Sequence, residues 1–238
     1  MFPWRRVLIP TDFSTAARWA FDNAIHVAGS TGAELLVVHV RMTRTSQPAE
    51  LRFPADQSVY DYAEQYELEA LRDRARQLNA SVSTKLIVRQ APDPGNEIAR
   101  VAASEGVDLV VIATHARHHV AHLIIGSTTM AVLENPPAPV LAVRYGTKRR
   151  RAMRKIVVPL RPQETSSDAL TLATAIAAHV GGEVLPITIE GDNAERAIVK
   201  YAERMDADVI AVHATIGEMK LEIIRSAETP ILIVPPAA

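Results

Sequence analysis

The sequence predicts an α/β protein built as two doubly wound parallel-sheet units in tandem, the first five-stranded and the second truncated to about four strands. Three observations carry this expectation. Apolar runs rich in β-branched residues, each bounded by turn residues, alternate with Ala-rich helical patterns. The runs are apolar at consecutive positions, which implies strands buried on both faces, as in a parallel sheet. The pattern then restarts: Lys155-Ile-Val-Val-Pro159 echoes Arg6-Val-Leu-Ile-Pro10, and Thr229-Pro-Ile-Leu-Ile-Val-Pro235 echoes Ala138-Pro-Val-Leu-Ala-Val-Arg144.

Taken in order, Arg6 to Ile9 reads as a strand and Pro10-Thr11-Asp12 as the turn leaving it. Ser14 is placed to cap a helix with the stripe Ala17, Ala20, Phe21, Ala24 and Val27, and Gly29 reads as lying past its end. Leu35 to Val40 is a second strand. Thr43 to Ser58 is polar, carries two prolines and reads as a loop. A helix from about Tyr60 to Leu78 leads to the strand Thr84 to Val88. After the turn cluster Ala91-Pro-Asp-Pro-Gly-Asn96, Asn96 can cap a short helix ending at Gly106. Leu109 to Ala113 is a buried strand. Gly126-Ser127 precedes the helix Thr128 to Glu134, and Val140 to Arg144 is the last strand of this half.

A basic, turn-like linker, Gly146 to Lys155, opens the second half. It holds the helix Ser167 to Val180, the strand Val184 to Ile189, the helix Ala194 to Met205 and the strand Val209 to His213. A helix near Gly217 to Ala227 and the strand Ile231 to Val234 follow. The second copy lacks the long loop, one helix and one strand of the first. The boundaries this implies are residues 1–146 and 153–238.

With 48% apolar residues, each half can bury a core, and the scarcity of aromatics suits a sheet covered by Ala-rich helices. The formal net charge of −1 gives no global reason to expect nucleic acid or an anionic membrane as partner. No cysteine is present, which excludes disulfides, thiol catalysis and thiolate metal sites and fits a reducing compartment. The start, Met1 to Pro10, has no signal-peptide core, and no stretch approaches a spanning helix, so a cytoplasmic protein is expected.

In an open parallel sheet, ligands bind beyond the C-terminal strand ends, where the strand order reverses. With right-handed crossovers and the order 3-2-1-4-5, that crevice lies between the first and fourth strands. Asp12 ends the first and Ala113-Thr114 the fourth. A carboxylate there can accept the two hydrogen bonds that vicinal hydroxyls offer. Gly126-Ser127 stands at a helix start, where free N–H groups and the helix dipole favour phosphate. Taken singly, the Asp is as readily a turn residue and the Gly-Ser a helix cap; the inference rests on their joint placement. No GxxxxGK[ST] loop or GxGxxG is present, so neither P-loop nor dinucleotide chemistry is supported.

These residues resemble the universal stress protein family over nearly the whole first half. Ile9-Pro-Thr-Asp-Phe-Ser-Thr15 is similar to the family's opening strand and helix, Asp108-Leu-Val-Val-Ile-Ala-Thr-His-Ala-Arg117 to its fourth strand, and Leu123 to Val143 to its closing segment. The family's nucleotide signature is Gly, two residues, Gly, nine residues, Gly, then Ser or Thr. Its spacing lands on Ala113, Ala116, Gly126 and Ser127. The resemblance implies that Pro10, Thr11 and Asp12 approach the base and ribose, and that Val40 lines the adenine slot. It also implies that Ala113, Thr114, His115, Ala116 and Arg117 wrap ribose and phosphates, and that Gly126, Ser127 and Thr128 hold phosphate oxygens. The implied cofactor is ATP with Mg2+ or Mn2+. Two signature glycines are alanines. A methyl group at Ala116 matters if φ is positive there or phosphate must pass against the Cα, at a cost of ~1 kcal/mol or more.

The second half departs further. Arg161 stands where Asp12 would be, Ala211 and Ala214 are read as replacing the two glycines, and the spacer with its Gly-Ser is deleted. No nucleotide is expected there. The family commonly dimerises through its last strands, and the resemblance implies that the two halves pair that way within one chain. Homodimerisation and an unidentified protein partner stay open.

Two other constellations compete. His115, His118, His119 and His122 would share one helical face and could hold zinc or nickel, although no carboxylate lies within the stretch. The run Lys148 to Arg151 with Arg154 and Lys155 lacks interleaved aromatics, so a solvated linker outweighs nucleic-acid binding. No Ser-His-Asp order or carboxylate pair is motivated at the cleft, so hydrolysis is expected to be slow and incidental at most. The leading expectation is an adenine-nucleotide-binding stress-response or signalling protein. The alternatives are a nucleotide-free scaffold of the same fold, and a metal or small-molecule protein using the histidines.

Overall fold

The computed structural model describes residues 2–43, 57–114, 125–147, 153–162, 167–191, 193–216 and 219–236. The first half runs β1 (Arg6–Thr11), α1 (Thr15–Thr31), β2 (Glu34–Met42), α2 (Gln57–Leu78), β3 (Thr84–Ala91), α3 (Pro94–Ser104), β4 (Leu109–Thr114), α4 (Ser127–Glu134) and β5 (Val140–Arg144). The second runs β6 (Lys155–Leu160), α5 (Asp168–Val180), β7 (Glu183–Thr188), α6 (Ala194–Arg204), β8 (Val209–His213), α7 (Met219–Ser226) and β9 (Ile231–Val234), with a single 3-10 turn at Ala214–Ile216.

The described strands form one nine-stranded sheet in the order β3-β2-β1-β4-β5-β9-β8-β6-β7. Within each half every pairing is parallel, and the first half has the expected 3-2-1-4-5 order. Helices cover both faces. Residues of α1, α2 and α5 pack with Val7, Leu35, Leu109 and Val158 on one side of the sheet. Those of α3, α4, α6 and α7 pack with Leu8, Val38, Val110 and Ile210 on the other. Strand burial on both faces is what the uninterrupted apolar runs require.

Two helix ends differ from the sequence reading. Helix α1 continues through Gly29 to Thr31, and Gly32 takes the left-handed cap at φ 70° with its N–H donated to the Ala28 carbonyl. Gly29 is a packing residue: a side chain there would collide with Asn79. Helix α3 is capped by Asp93, not Asn96. The Asp93 carboxylate accepts the Asn96 N–H at 3.1 Å, and Pro94 occupies the first turn, where no N–H is needed.

The halves join where β5 and β9 pair antiparallel, with Val140 opposite Ile233, Leu141 opposite Leu232 and Ala142 opposite Ile231. Leu141 and Leu232 are matching residues of the two repeats, so a pseudo-two-fold axis passes through their contact. It stands perpendicular to the sheet, because α1 and its counterpart α5 lie on the same face. A further repeated device sets the register of each half. Asp108 accepts the N–H groups of Arg5 and Arg6 at 2.7 and 2.9 Å, and Asp208 accepts those of Arg154 and Lys155 at 2.9 and 3.0 Å.

The Ile210 N–H donates to the Pro230 carbonyl. In a parallel ladder the next bond then runs from the Leu232 N–H to β8, so the Ile231 and Ile233 N–H groups face β5. Ile233→Pro therefore removes a donor at the seam, whereas Leu232→Pro acts on the β8 side. Leaving the buried acceptor unpaired costs about 1–3 kcal/mol. At about 2–4 °C per kcal/mol for a chain of this size, the melting temperature should fall by roughly 2–12 °C. Amide exchange at Val140 and Ala142 should quicken; unchanged exchange in β5 would show that the seam does not depend on this bond.

Candidate functional site

The site is assembled from two chain segments that leave the sheet in opposite directions. The first is the turn after β1. The Thr11 hydroxyl accepts the Phe13 N–H at 3.0 Å, the Asp12 carboxylate accepts the Ser14 N–H at 3.0 Å, and the Ser14 hydroxyl accepts the Ala17 N–H at 3.1 Å. These side-chain acceptors satisfy backbone donors that the turn and the first helical turn leave without carbonyl partners. They also hold Phe13 in a left-handed conformation, φ 61°, which a non-glycine residue adopts at a cost of roughly 1–2 kcal/mol. Thr11 is buried, while Asp12 is exposed at the strand end.

The second segment is the start of α4. Gly126 is its N-cap, in extended geometry at φ −65° and ψ 153°, and provides no side-chain acceptor. The first-turn N–H groups thus present the positive end of the helix dipole without a side-chain cap. Buried Thr129 ties this turn to the sheet by donating its hydroxyl to the Ala113 carbonyl at 3.1 Å. At the other end of α4, the Lys220 ammonium on α7 donates to the Leu133 carbonyl at 3.0 Å, so the second half of the chain holds the C-terminus of this helix. Helix α3 approaches α4 at Gly95, where a side chain would run into Ala131.

Between these segments lies a cavity of about 340 Å3. The turn residues Pro10, Thr11 and Asp12, the strand-end Ala113, and Gly126, Ser127 and Thr128 of α4 all line it, as does Val40. Ser14, Ala17 and Thr129 also border it, and the rest of its wall, not foreseen from the sequence, is apolar: Val38, Met42, Pro94, Ile98 and Ile112. Val38 was within reach of the sequence, being two residues from Val40 and so on the same strand face. Ile98 was not, because its place depends on how α3 packs. Thr114 is buried at the end of β4 and does not line the cavity. His115, Ala116 and Arg117, with His118, His119 and His122, lie outside the described residues, as does the linker segment 148–152. Among the described residues no group of three or more metal-ligating side chains comes together. Nor, among them, is any helix long and apolar enough to cross a membrane.

The second half has the same crevice with different contents. Arg161 follows β6 where Asp12 follows β1. The glycine correspondence requires correction. Pairing of Ile156 with Val209 matches that of Val7 with Leu109, and Asp208 matches Asp108. By this register His213 is the counterpart of Ala113, while Ala211 and Ala214 correspond to Val111 and Thr114 and replace no signature glycine. The shared His-Ala dipeptide suggested an alignment displaced by two residues. His213 stands at the end of β8: its Nε2 lies 3.4 Å from the Asp168 carboxylate at the start of α5, and its Nδ1 lies 2.6 Å from the Thr215 hydroxyl.

Comparison with known proteins adds the following. The sequence profile of the universal stress protein family matches residues 3–144. A putative universal stress protein of Staphylococcus haemolyticus is 30% identical over 146 residues, covering 60% of this chain and 87% of that protein. A universal stress protein of Methanocaldococcus jannaschii is 25% identical over 147 residues, covering 61% and 85%. Among solved structures, a universal stress protein from Archaeoglobus fulgidus aligns over 99% of this chain and 100% of its own, with a TM-score of 0.76 at 18% identity. That likeness shows the fold of both halves together.

The tether on α4 can be tested without any ligand. Thr129→Val keeps the shape but removes the donor to Ala113, which should cost about 1 kcal/mol and lower the melting temperature by roughly 2–4 °C. Amide exchange in the first turn of α4 should rise more than in α3; a uniform rise would show that the hydroxyl has no local role.

Proposed function

The chain belongs to the universal stress protein family, and from that premise we propose that its N-terminal half binds one adenine nucleotide while its C-terminal half binds none. The observation that carries this reading is the single cavity shared by Asp12, the open N-terminus of α4 and an apolar wall. Its volume, about 340 Å3, falls within the range of small-ligand pockets. The base packs between Val38, Val40 and Ile98. The Asp12 carboxylate accepts hydrogen bonds from the ribose hydroxyls, for which its acceptor-only chemistry suits it. The N–H groups and hydroxyls of Ser127 and Thr128 receive phosphate oxygens, and a divalent cation, Mg2+ or Mn2+, accompanies them.

The reading is one of binding and signalling, with turnover slow or absent. Asp12 is the sole ionisable side chain among the described residues lining the cavity, and it is engaged with the Ser14 N–H. The second half has Arg161 in place of the equivalent carboxylate, and His213 meets Asp168 where the first half has the small Ala113.

Calorimetric titration with ATP tests this directly, with one site per chain as the expected stoichiometry. Hydrogen bonds to a charged group contribute about 1.5–3 kcal/mol, so Asp12→Ala should weaken binding roughly 10- to 150-fold. A stoichiometry of two, no binding, or an unchanged affinity in the variant would overturn the proposal. Ala116→Gly probes the phosphate contacts. It should tighten ATP binding and leave adenosine nearly unchanged, and an equal gain for both ligands would move its effect from the phosphates to the fold.

A further inference from the structure

On the side of β2 away from the cavity, a chain of polar contacts runs from helix α2 to the turn that carries Asp12. The His39 Nδ1 lies 2.8 Å from the Thr11 carbonyl. A carbonyl can only accept, so Nδ1 is the donor in this contact, and Nε2 can donate as well only in the imidazolium form. The other ring nitrogen, Nε2, lies 3.5 Å from the Glu64 carboxylate on α2. Glu64 is held in turn by Arg41, which donates from Nε at 2.6 Å and from a terminal nitrogen at 2.9 Å, while Asp61 meets the same guanidinium at 3.0 Å. His39 and Glu64 are both largely shielded, with 16% and 12% of their side-chain surface exposed, so these contacts are made with little competition from water. The Phe13 ring lies against the His39 ring, with centroids 4.5 Å apart and planes 33° from parallel.

We propose that His39 is a positioning residue for the nucleotide site, fixing the Thr11–Phe13 turn from behind so that Asp12 is presented to the ribose, with Glu64 holding the imidazole in place. The inference rests on the preceding reading of the cavity and concerns residues that do not line it. Two features of the turn need this support. Phe13 sits in a left-handed conformation, which persists only where its surroundings determine it. The Thr11 carbonyl and the Phe13 ring are the parts of the turn that His39 touches, and Asp12 lies between them in the chain. Displacing the imidazole frees both flanks of the carboxylate at once. Because Glu64 belongs to α2, the ribose contact also comes to depend on where that helix lies, which the cavity lining alone does not show.

The test compares wild-type protein with His39→Leu, His39→Asn and Glu64→Gln in titrations with ATP, adenosine and adenine. Asparagine can place an amide N–H near the Nδ1 position, and leucine cannot. His39→Leu should weaken ATP and adenosine at least fivefold, the loss of one hydrogen bond of about 1 kcal/mol, and should change adenine less than twofold. His39→Asn should recover most of that loss, and Glu64→Gln should fall between wild type and His39→Leu. Equal losses for all three ligands, or no advantage of Asn over Leu, would overturn the proposal. Wild-type protein that binds none of these ligands would instead sink the nucleotide reading. Amide exchange then decides the positioning role alone: in Glu64→Gln the Phe13 and Ser14 amides should exchange faster while those of β4 do not, and unchanged rates would reject it.

Discussion

Strand order reverses between β1 and β4, and the candidate site exists because of that reversal. Helix α1 leaves β1 toward one face of the sheet, while α3 and α4 lie on the other. The strands thus feed helices on opposite faces, and a crevice opens beyond their ends. What occupies it is decided by the segments that diverge. In the first half these are a turn stabilised by its own side-chain oxygens and a helix start without a side-chain cap. In the second half the order reverses again, between β6 and β8, but an imidazole and a carboxylate meet across the gap. The crevice is a property of the topology; the cavity is a property of the side chains.

The second half also acts on the first at a distance from its own crevice. Lys220 places a cation on the Leu133 carbonyl, at the negative end of the dipole whose positive end faces the cavity. Helix α4 is thus held at its first turn by Thr129 and the sheet, and at its last by the other repeat. The second half of the chain thus takes part in holding the helix whose start lines the cavity of the first.

Much of the fold was legible because it follows from local rules. Apolar runs without alternation identify buried parallel strands, right-handed crossovers order them, and Ser14 and Ser167 mark helix starts in the sequence. Where the reading failed, the deciding contact lay far along the chain. Gly29 reads as a terminator from its neighbours, but the helix runs on to Thr31 and the Asn79 side chain lies against Gly29. Asp108 and Asp208 carry no local signal of their role, because each accepts two backbone N–H groups from a residue pair about a hundred or fifty positions away, beside the start of β1 or β6. Without that anchor, the His-Ala repeat pulled the alignment of β8 two residues out of place. At the site, Asp12 and Gly126-Ser127 were visible as residue types at strand and helix ends. The apolar wall from α3 and the contact of Glu64 with His39 carry no periodic signal, because they depend on which helix packs against which strand.

The β5–β9 seam has a consequence for how such a pair behaves in solution and over generations. Two separate chains meeting through their last strands would come apart on dilution. Here the partners share one backbone, and for short linkers the effective concentration of one for the other is of the order of millimolar whatever the concentration of protein. In a symmetric dimer a substitution also falls on both sides of the contact at once. At Leu141 and Leu232 it falls on one side alone, so one surface can drift by small steps while the other compensates. That freedom is what allows one repeat to shed a loop, a helix and a strand without unmaking the sheet it shares with the other.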